Sequence, residues 1–159
     1  MLQLFKKYLL LILGICIGLH ANAQKENLAM PIELLNDSMK VHPKPILILV
    51  STNWCKYCQM QKAQLLKNQA FIDAKAWFYY SELDAEAKED IYFNDQIYQY
   101  KNSGDARGIH ELAVALADKK EGLSYPLWII VDENYKVLIR RYGLLTRDEL
   151  KVIIEALAK

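Results

Sequence analysis

Two short apolar runs, Ile46-Leu47-Ile48-Leu49-Val50 and Leu127-Trp128-Ile129-Ile130-Val131, interrupt a chain whose other hydrophobic residues mostly recur at helical spacing. Each run is continuous, is led by a proline (Pro45, Pro126) and is closed by a polar stretch (Ser51-Thr52-Asn53, Asp132-Glu133-Asn134). Such runs suit strands buried on both faces of a sheet, and the first is read as the central strand. Ahead of it, Ile32, Leu35 and Met39 predict a helix over residues 30–40, ended by Pro43 and Pro45. After it, Tyr57, Met60, Ala63, Leu66 and Ala70 predict the inner stripe of a helix beginning at Cys55, with Lys56, Gln59, Lys62, Gln64 and Lys67 outside.

The rest of the chain follows the same logic. Residues 76–81 read as an aromatic second strand, followed by an acidic, solvated stretch over 82–90. Ile91-Tyr92-Phe93 and Gln96-Ile97-Tyr98 flank Asn94-Asp95, two residues that tolerate positive φ, so a β-hairpin is predicted there. A loop over 102–108 leads to a helix over 109–116, at whose start His110, beside Glu111, is read as a surface residue. Strands over 126–131 and 136–141 form a hairpin that Gly143 breaks. Thr146-x-x-Glu149 is a capping box, Leu145 and Leu150 can staple it, and Leu150, Ile153, Ile154 and Leu157 line one face of a last helix. This order predicts an α/β chain: one mixed sheet, parallel in its first half and antiparallel in its second, covered by helices on both faces as a three-layer α/β/α sandwich.

Composition narrows the function classes. Twenty Lys and Arg against 19 Asp and Glu leave a net charge of +1, without the cationic excess that nucleic-acid binding demands. Tyr92, Tyr98 and Tyr100 lack basic neighbours and do not read as a base-stacking platform. The first residues are set apart from the fold. Lys6-Lys7, an apolar run over 8–19 and the small residues Ala21-Asn22-Ala23 form the pattern of an export signal cleaved after Ala23. At about 12 residues the run is short of the roughly 20 needed to span a bilayer, and Ile15 before Cys16 is atypical of a lipoprotein signal. Residues 1–23 are therefore read as a cleaved leader and 24–159 as one domain, exported to the periplasm or cell envelope, without a membrane anchor once cleaved and monomeric.

Cleavage leaves two cysteines, in Trp54-Cys55-Lys56-Tyr57-Cys58. A pair separated by two residues closes too small a loop to restrain the unfolded chain much. It does fit disulfide exchange, which needs one thiolate to attack and a second thiol close by to resolve the mixed disulfide. At a helix start, Cys55 meets unpaired backbone N–H groups and the positive end of the macrodipole, and Lys56 adds a cation; all favour its thiolate. Cys55 is thus the candidate nucleophile and Cys58 the resolver. Other readings of the pair are a Cu(I) or metal-delivery module using the same sulfurs, a zinc site completed by His42 and His110, and an inert staple.

The motif, the apolar strand before it, Ser124-Tyr125-Pro126 and the terminal strand pair and helix resemble the thioredoxin superfamily, in particular its exported bacterial thioredoxin-like members. The resemblance implies a thioredoxin-like fold and a protein-disulfide oxidoreductase that needs no cofactor or metal and works on protein disulfides or dithiols together with a redox partner protein. It implies a cis bond before Pro126, and Trp54, Tyr57, Tyr125 and Pro126 as the substrate edge. Three departures stand out. Lys56-Tyr57 replaces Gly-Pro; Leu49 replaces a buried acid, leaving Glu82 and Asp84 as candidates for its role; and residues 84–123, with their hairpin and helix, exceed the minimal fold and could extend the sheet or shape a partner surface.

Overall fold

The computed structural model describes residues 27–102, 104 and 107–158; the leader over 1–23 lies outside them. Within the described residues the strands are β1 (Ile46–Ser51), β2 (Tyr79–Asp84), β3 (Ile91–Phe93), β4 (Gln96–Tyr98), β5 (Tyr100–Lys101), β6 (Ile109–His110), β7 (Leu127–Val131) and β8 (Val137–Tyr142). The α-helices are α1 (Leu35–Val41), α2 (Lys56–Leu65), α3 (Gln69–Ala74), α4 (Glu111–Leu116) and α5 (Arg147–Leu157), and a 3-10 turn over Ile32–Leu34 precedes α1. One sheet runs β2-β1-β7-β8. β2 is parallel to β1, whereas β7 is antiparallel to both β1 and β8. The fold is the mixed-sheet, three-layer α/β/α arrangement the pattern predicts.

Alternation along β1 explains the layers. Ile46, Ile48 and Val50 enter one core with Leu35 and Met39 of α1, Ile91 and Phe93 of the hairpin, and Leu112 and Leu116 of α4. Leu47 and Leu49 enter the other with Leu65 of α2, Phe71 of α3, Tyr80, Trp128, and Leu150 and Leu157 of α5. Every residue of β1 and β7 is buried, as their unbroken apolar runs require.

The inserted hairpin forms as read, with Asn94 and Asp95 at φ 50° and 57°. It does not extend the main sheet: β3–β4 and β5–β6 are separate two-stranded sheets. Asn36, buried on α1, ties the hairpin down by donating to the Tyr92 carbonyl and accepting from the Asn94 N–H and the Tyr135 hydroxyl.

Several expectations are corrected. The second strand spans Tyr79–Asp84 rather than 76–81, because the Ala76 and Trp77 N–H groups still close the turn after α3, on Asp73 and Ala74. Consequently Glu82 and Asp84 belong to β2, and the stretch after Tyr80 is not simply solvated: Leu83 and Ala85 are core residues. The helix after the cysteines is interrupted, with Asn68 capping a separate α3. Its inner face is also different. Tyr57, Met60, Ala63, Leu66 and Ala70 are all exposed, and Cys58, Gln61 and Leu65 turn inward. Leu65 in the core and Gln61 on the Leu145 N–H hold the phase of α2 in place of the apolar count. Gln61 can sit inside because it accepts the Leu145 N–H at 2.7 Å.

The last helix carries the capping box in full: Thr146 Oγ1 accepts the Glu149 N–H, and Glu149 accepts the Thr146 N–H. Thr146→Ala should lower stability by about 1 kcal/mol, read as a shift in the urea midpoint. Glu149 is pulled down from 4.5 to about 2, first by the Thr146 N–H and then by Arg141. A lowered folded pKa stabilises above the unfolded value and is lost as pH falls through the folded one. The difference between wild type and Glu149→Gln should therefore persist to pH 4.5 and shrink toward pH 2.

Candidate functional site

The strand-to-helix junction that ends β1 builds the site. Thr52 accepts the Cys55 N–H in a tight turn, and Cys55, in extended backbone, is the N-cap of α2. Cys55 and Cys58 are joined as a disulfide with S–S 2.04 Å and Cα–Cα 5.3 Å. Cys55 Sγ also accepts the Cys58 N–H at 3.1 Å, so the sulfur takes the place of a capping oxygen at the positive end of the helix. In the reduced protein that N–H and the helix end favour negative charge on the Cys55 sulfur. Cys58 is wholly buried, and Cys55 is 6% exposed. Lys56 is exposed on the first helical residue.

An aromatic wall stands beside the disulfide. The Trp54 ring, 53% exposed, meets Tyr125 edge-on at 6.0 Å between centroids. The Tyr125–Pro126 peptide bond is cis. Burial, then the charges of Glu86 and Asp84, push the Tyr125 hydroxyl up to about 12, so it stays neutral at ordinary pH. Tyr57 and Met60 are exposed on the outer face of α2. Trp54, Tyr125, Pro126 and the disulfide are thus gathered at one end of the sheet, with Tyr57 on the adjoining helix turn.

The 84–123 insert contributes two residues that no sequence pattern marks, Glu86 and Arg107, alongside Asp84. Glu86 accepts the Trp54 indole N–H at 2.9 Å, and the Arg107 guanidinium lies 5.6 Å from the Trp54 ring and 3.9 Å from Glu86. Asp84 accepts from Asn53 Nδ2 at 3.0 Å and from the Glu86 N–H, fixing the loop end that carries Trp54. No local signal marks the contacts to Trp54 and Asn53, because each spans a large sequence separation.

His110 is a correction of a different kind. Far from lying on the surface, it is wholly buried and caps α4, with Nδ1 accepting the Leu112 N–H and Nε2 on the Glu89 carbonyl, both at 3.2 Å. Both ring nitrogens are engaged, and His110 is not brought to the cysteines. Among the described residues no three His, Cys, Asp or Glu side chains gather as a metal-binding group.

Comparison with known proteins gives the same architecture. A thioredoxin-fold protein from Helicobacter pylori is similar over 71% of this chain and 68% of its own, at 19% identity and a TM-score of 0.55. A mutant thioredoxin from Halobacterium salinarum NRC-1 is similar over 82% and 91%, at 15% identity and 0.53. Chloroplastic thioredoxin z is similar over 81% and 93%, at 15% identity and 0.50. At these identities the likeness concerns the fold. No curated protein matches the sequence. The model of the thioredoxin-like domain matches residues 36–158, from α1 through the last helix, and the chain accordingly belongs to the thioredoxin-like domain family.

Proposed function

We propose that this domain is an exported thiol–disulfide oxidoreductase acting on protein partners. The observation that carries the reading is the Cys55–Cys58 disulfide, with its first sulfur as the N-cap of α2 and its second buried beneath the turn. Written in the reducing direction, the Cys55 thiolate attacks a substrate disulfide and one substrate sulfur leaves and takes a proton. Cys58 then loses its proton and attacks Cys55 Sγ, the second substrate sulfur leaves as a thiol, and the enzyme disulfide forms with two electrons passed to the substrate. The reverse sequence oxidises a dithiol. The Trp54–Tyr125 wall, with Tyr57 and the backbone before Pro126, offers apolar surface and an extended edge for the partner segment. Lys56 adds to the cationic field on the Cys55 sulfur.

Export rests on the leader pattern over residues 1–23. No helix among the described residues is long and apolar enough to cross a membrane. The deciding assay supplies dithiothreitol and insulin to the purified domain and follows disulfide reduction, with copper measured on anaerobically purified protein. Catalytic turnover by copper-free protein is the expected outcome. Stoichiometric copper on a pair that does not turn over would favour the metal-delivery module. Equilibration of the pair against glutathione buffers then gives the potential and hence the favoured direction.

A further inference from the structure

We propose that Glu82 is the group that accepts the Cys58 proton when this buried thiol resolves the mixed disulfide. The proposal rests on the oxidoreductase reading above and concerns its second step.

The need for an acceptor follows from burial. Cys58 has no exposure, and a thiol in such surroundings ionises reluctantly. Its own N–H is committed to Cys55 Sγ. The strand beneath α2 offers no base, since Leu47 and Leu49 are the β1 residues on that face. Gln61, the next inward residue of α2, is occupied by the Leu145 N–H. Trp128, in register with Leu49 on β7, has only a donor to offer.

On the other neighbouring strand Glu82 is in register with Leu49. It shares the face of Tyr80, which packs in the core under α2, α3 and α5. Lys62 shows that the carboxylate reaches α2: its Nζ meets Glu82 Oε2 at 2.6 Å. Lys62 is four residues beyond Cys58, so the two side chains are neighbours on one helix face. Tyr80 donates to Glu82 Oε1 at 2.9 Å, and burial, then the Glu82 charge and this hydrogen bond, raise the Tyr80 hydroxyl so that it remains a donor. The two contacts hold one oxygen each, and each oxygen keeps a second lone pair. Glu82 is 27% exposed, which lets a proton taken from the interior, directly or through one water, pass on to solvent. Asp84, the other acid on this face of β2, is held at the loop end by Asn53 and the Glu86 N–H.

In the step itself the Cys58 S–H bond breaks and its proton goes to Glu82. The sulfur lone pair forms the bond to Cys55 Sγ, and the departing substrate sulfur, leaving with the electron pair of the mixed disulfide, is protonated from solvent. Two electrons move from the cysteine pair to the substrate disulfide.

An aromatic disulfide that releases a coloured thiolate separates the two steps. Mixed with reduced protein under single-turnover conditions, it gives one release when Cys55 attacks and a second when Cys58 resolves. Glu82→Gln should leave the first phase within twofold of wild type and slow the second about tenfold or more, within the range of general-base contributions. Glu82→Asp should recover most of the second phase. Lys62→Met, which removes the ion pair but keeps the carboxylate, should stay within about threefold, well short of the Gln effect. An unchanged second phase in Glu82→Gln overturns the proposal. So does an equal slowing in Lys62→Met, which would make Glu82 a helix anchor only. Wild-type protein with no release, or a first phase that survives Cys55→Ser, would instead overturn the oxidoreductase reading.

Discussion

Cys58→Ser should turn the domain from a turnover catalyst into a trap. With the resolving sulfur gone, the Cys55 thiolate still attacks a substrate disulfide, but the mixed disulfide persists until an external thiol cleaves it. Well-oriented intramolecular attack reaches effective molarities of about 10⁵–10⁸ M, so even a partial loss should lower multiple-turnover reduction by at least ~100-fold at millimolar external thiol. The lost turnover should reappear as a covalent adduct on non-reducing gels, released by dithiothreitol and mapped to Cys55 by mass spectrometry. Cys55→Ser should give neither turnover nor adduct.

The asymmetry between the two sulfurs comes from the structure around them. The Cys55 sulfur caps α2 and accepts the Cys58 N–H, so charge developing on it meets an oriented dipole. Cys58 shares its inward face with Gln61 and Leu65, where a thiolate is poorly solvated. Full activity in Cys55→Ser, or adducts equally distributed between the two single variants, would defeat the assignment of roles.

Most of this architecture was legible because it is local. Continuous apolar runs mark β1 and β7, Asn94-Asp95 marks the hairpin turn, and Thr146 with Glu149 marks the start of α5; in each case the residues that carry the signal also make the contact. The cis bond before Pro126 came from resemblance rather than from spacing, and the bond is cis. What was not legible depends on residues far apart in the chain. The phase of α2 depends on Leu65 in the core and on Leu145, 84 residues beyond Gln61. The strand after α3 starts where its register with Ile46 starts, not where aromatic residues first cluster. Arg107 and Glu86 meet Trp54 through an insert whose path no periodicity records. His110 looked polar and terminal, but a cap beneath a folded insert is a buried position.

That misplaced histidine leads to the largest expected change in stability. His110→Ala should destabilise the domain by about 3 kcal/mol, combining the loss of a helix cap with a void in a packed interior. Removing the ring leaves the Leu112 N–H without its acceptor and the Glu89 carbonyl without its partner at positions water does not readily reach. Leu112, Ala113 and Leu116 pack α4 onto the sheet face that also takes α1 and the hairpin, so loosening the cap loosens that layer. Asn at 110 keeps an N-capping oxygen but fills less volume, and His110→Asn should therefore recover part of the loss. Urea unfolding measures both, with an unchanged slope showing that stability rather than compactness has moved. The cysteines lie on the other helical layer, so alkylation of Cys55 in the folded variant should proceed at the wild-type rate. A His110→Ala variant as stable as wild type would mean that the His110 cap contributes nothing to holding α4.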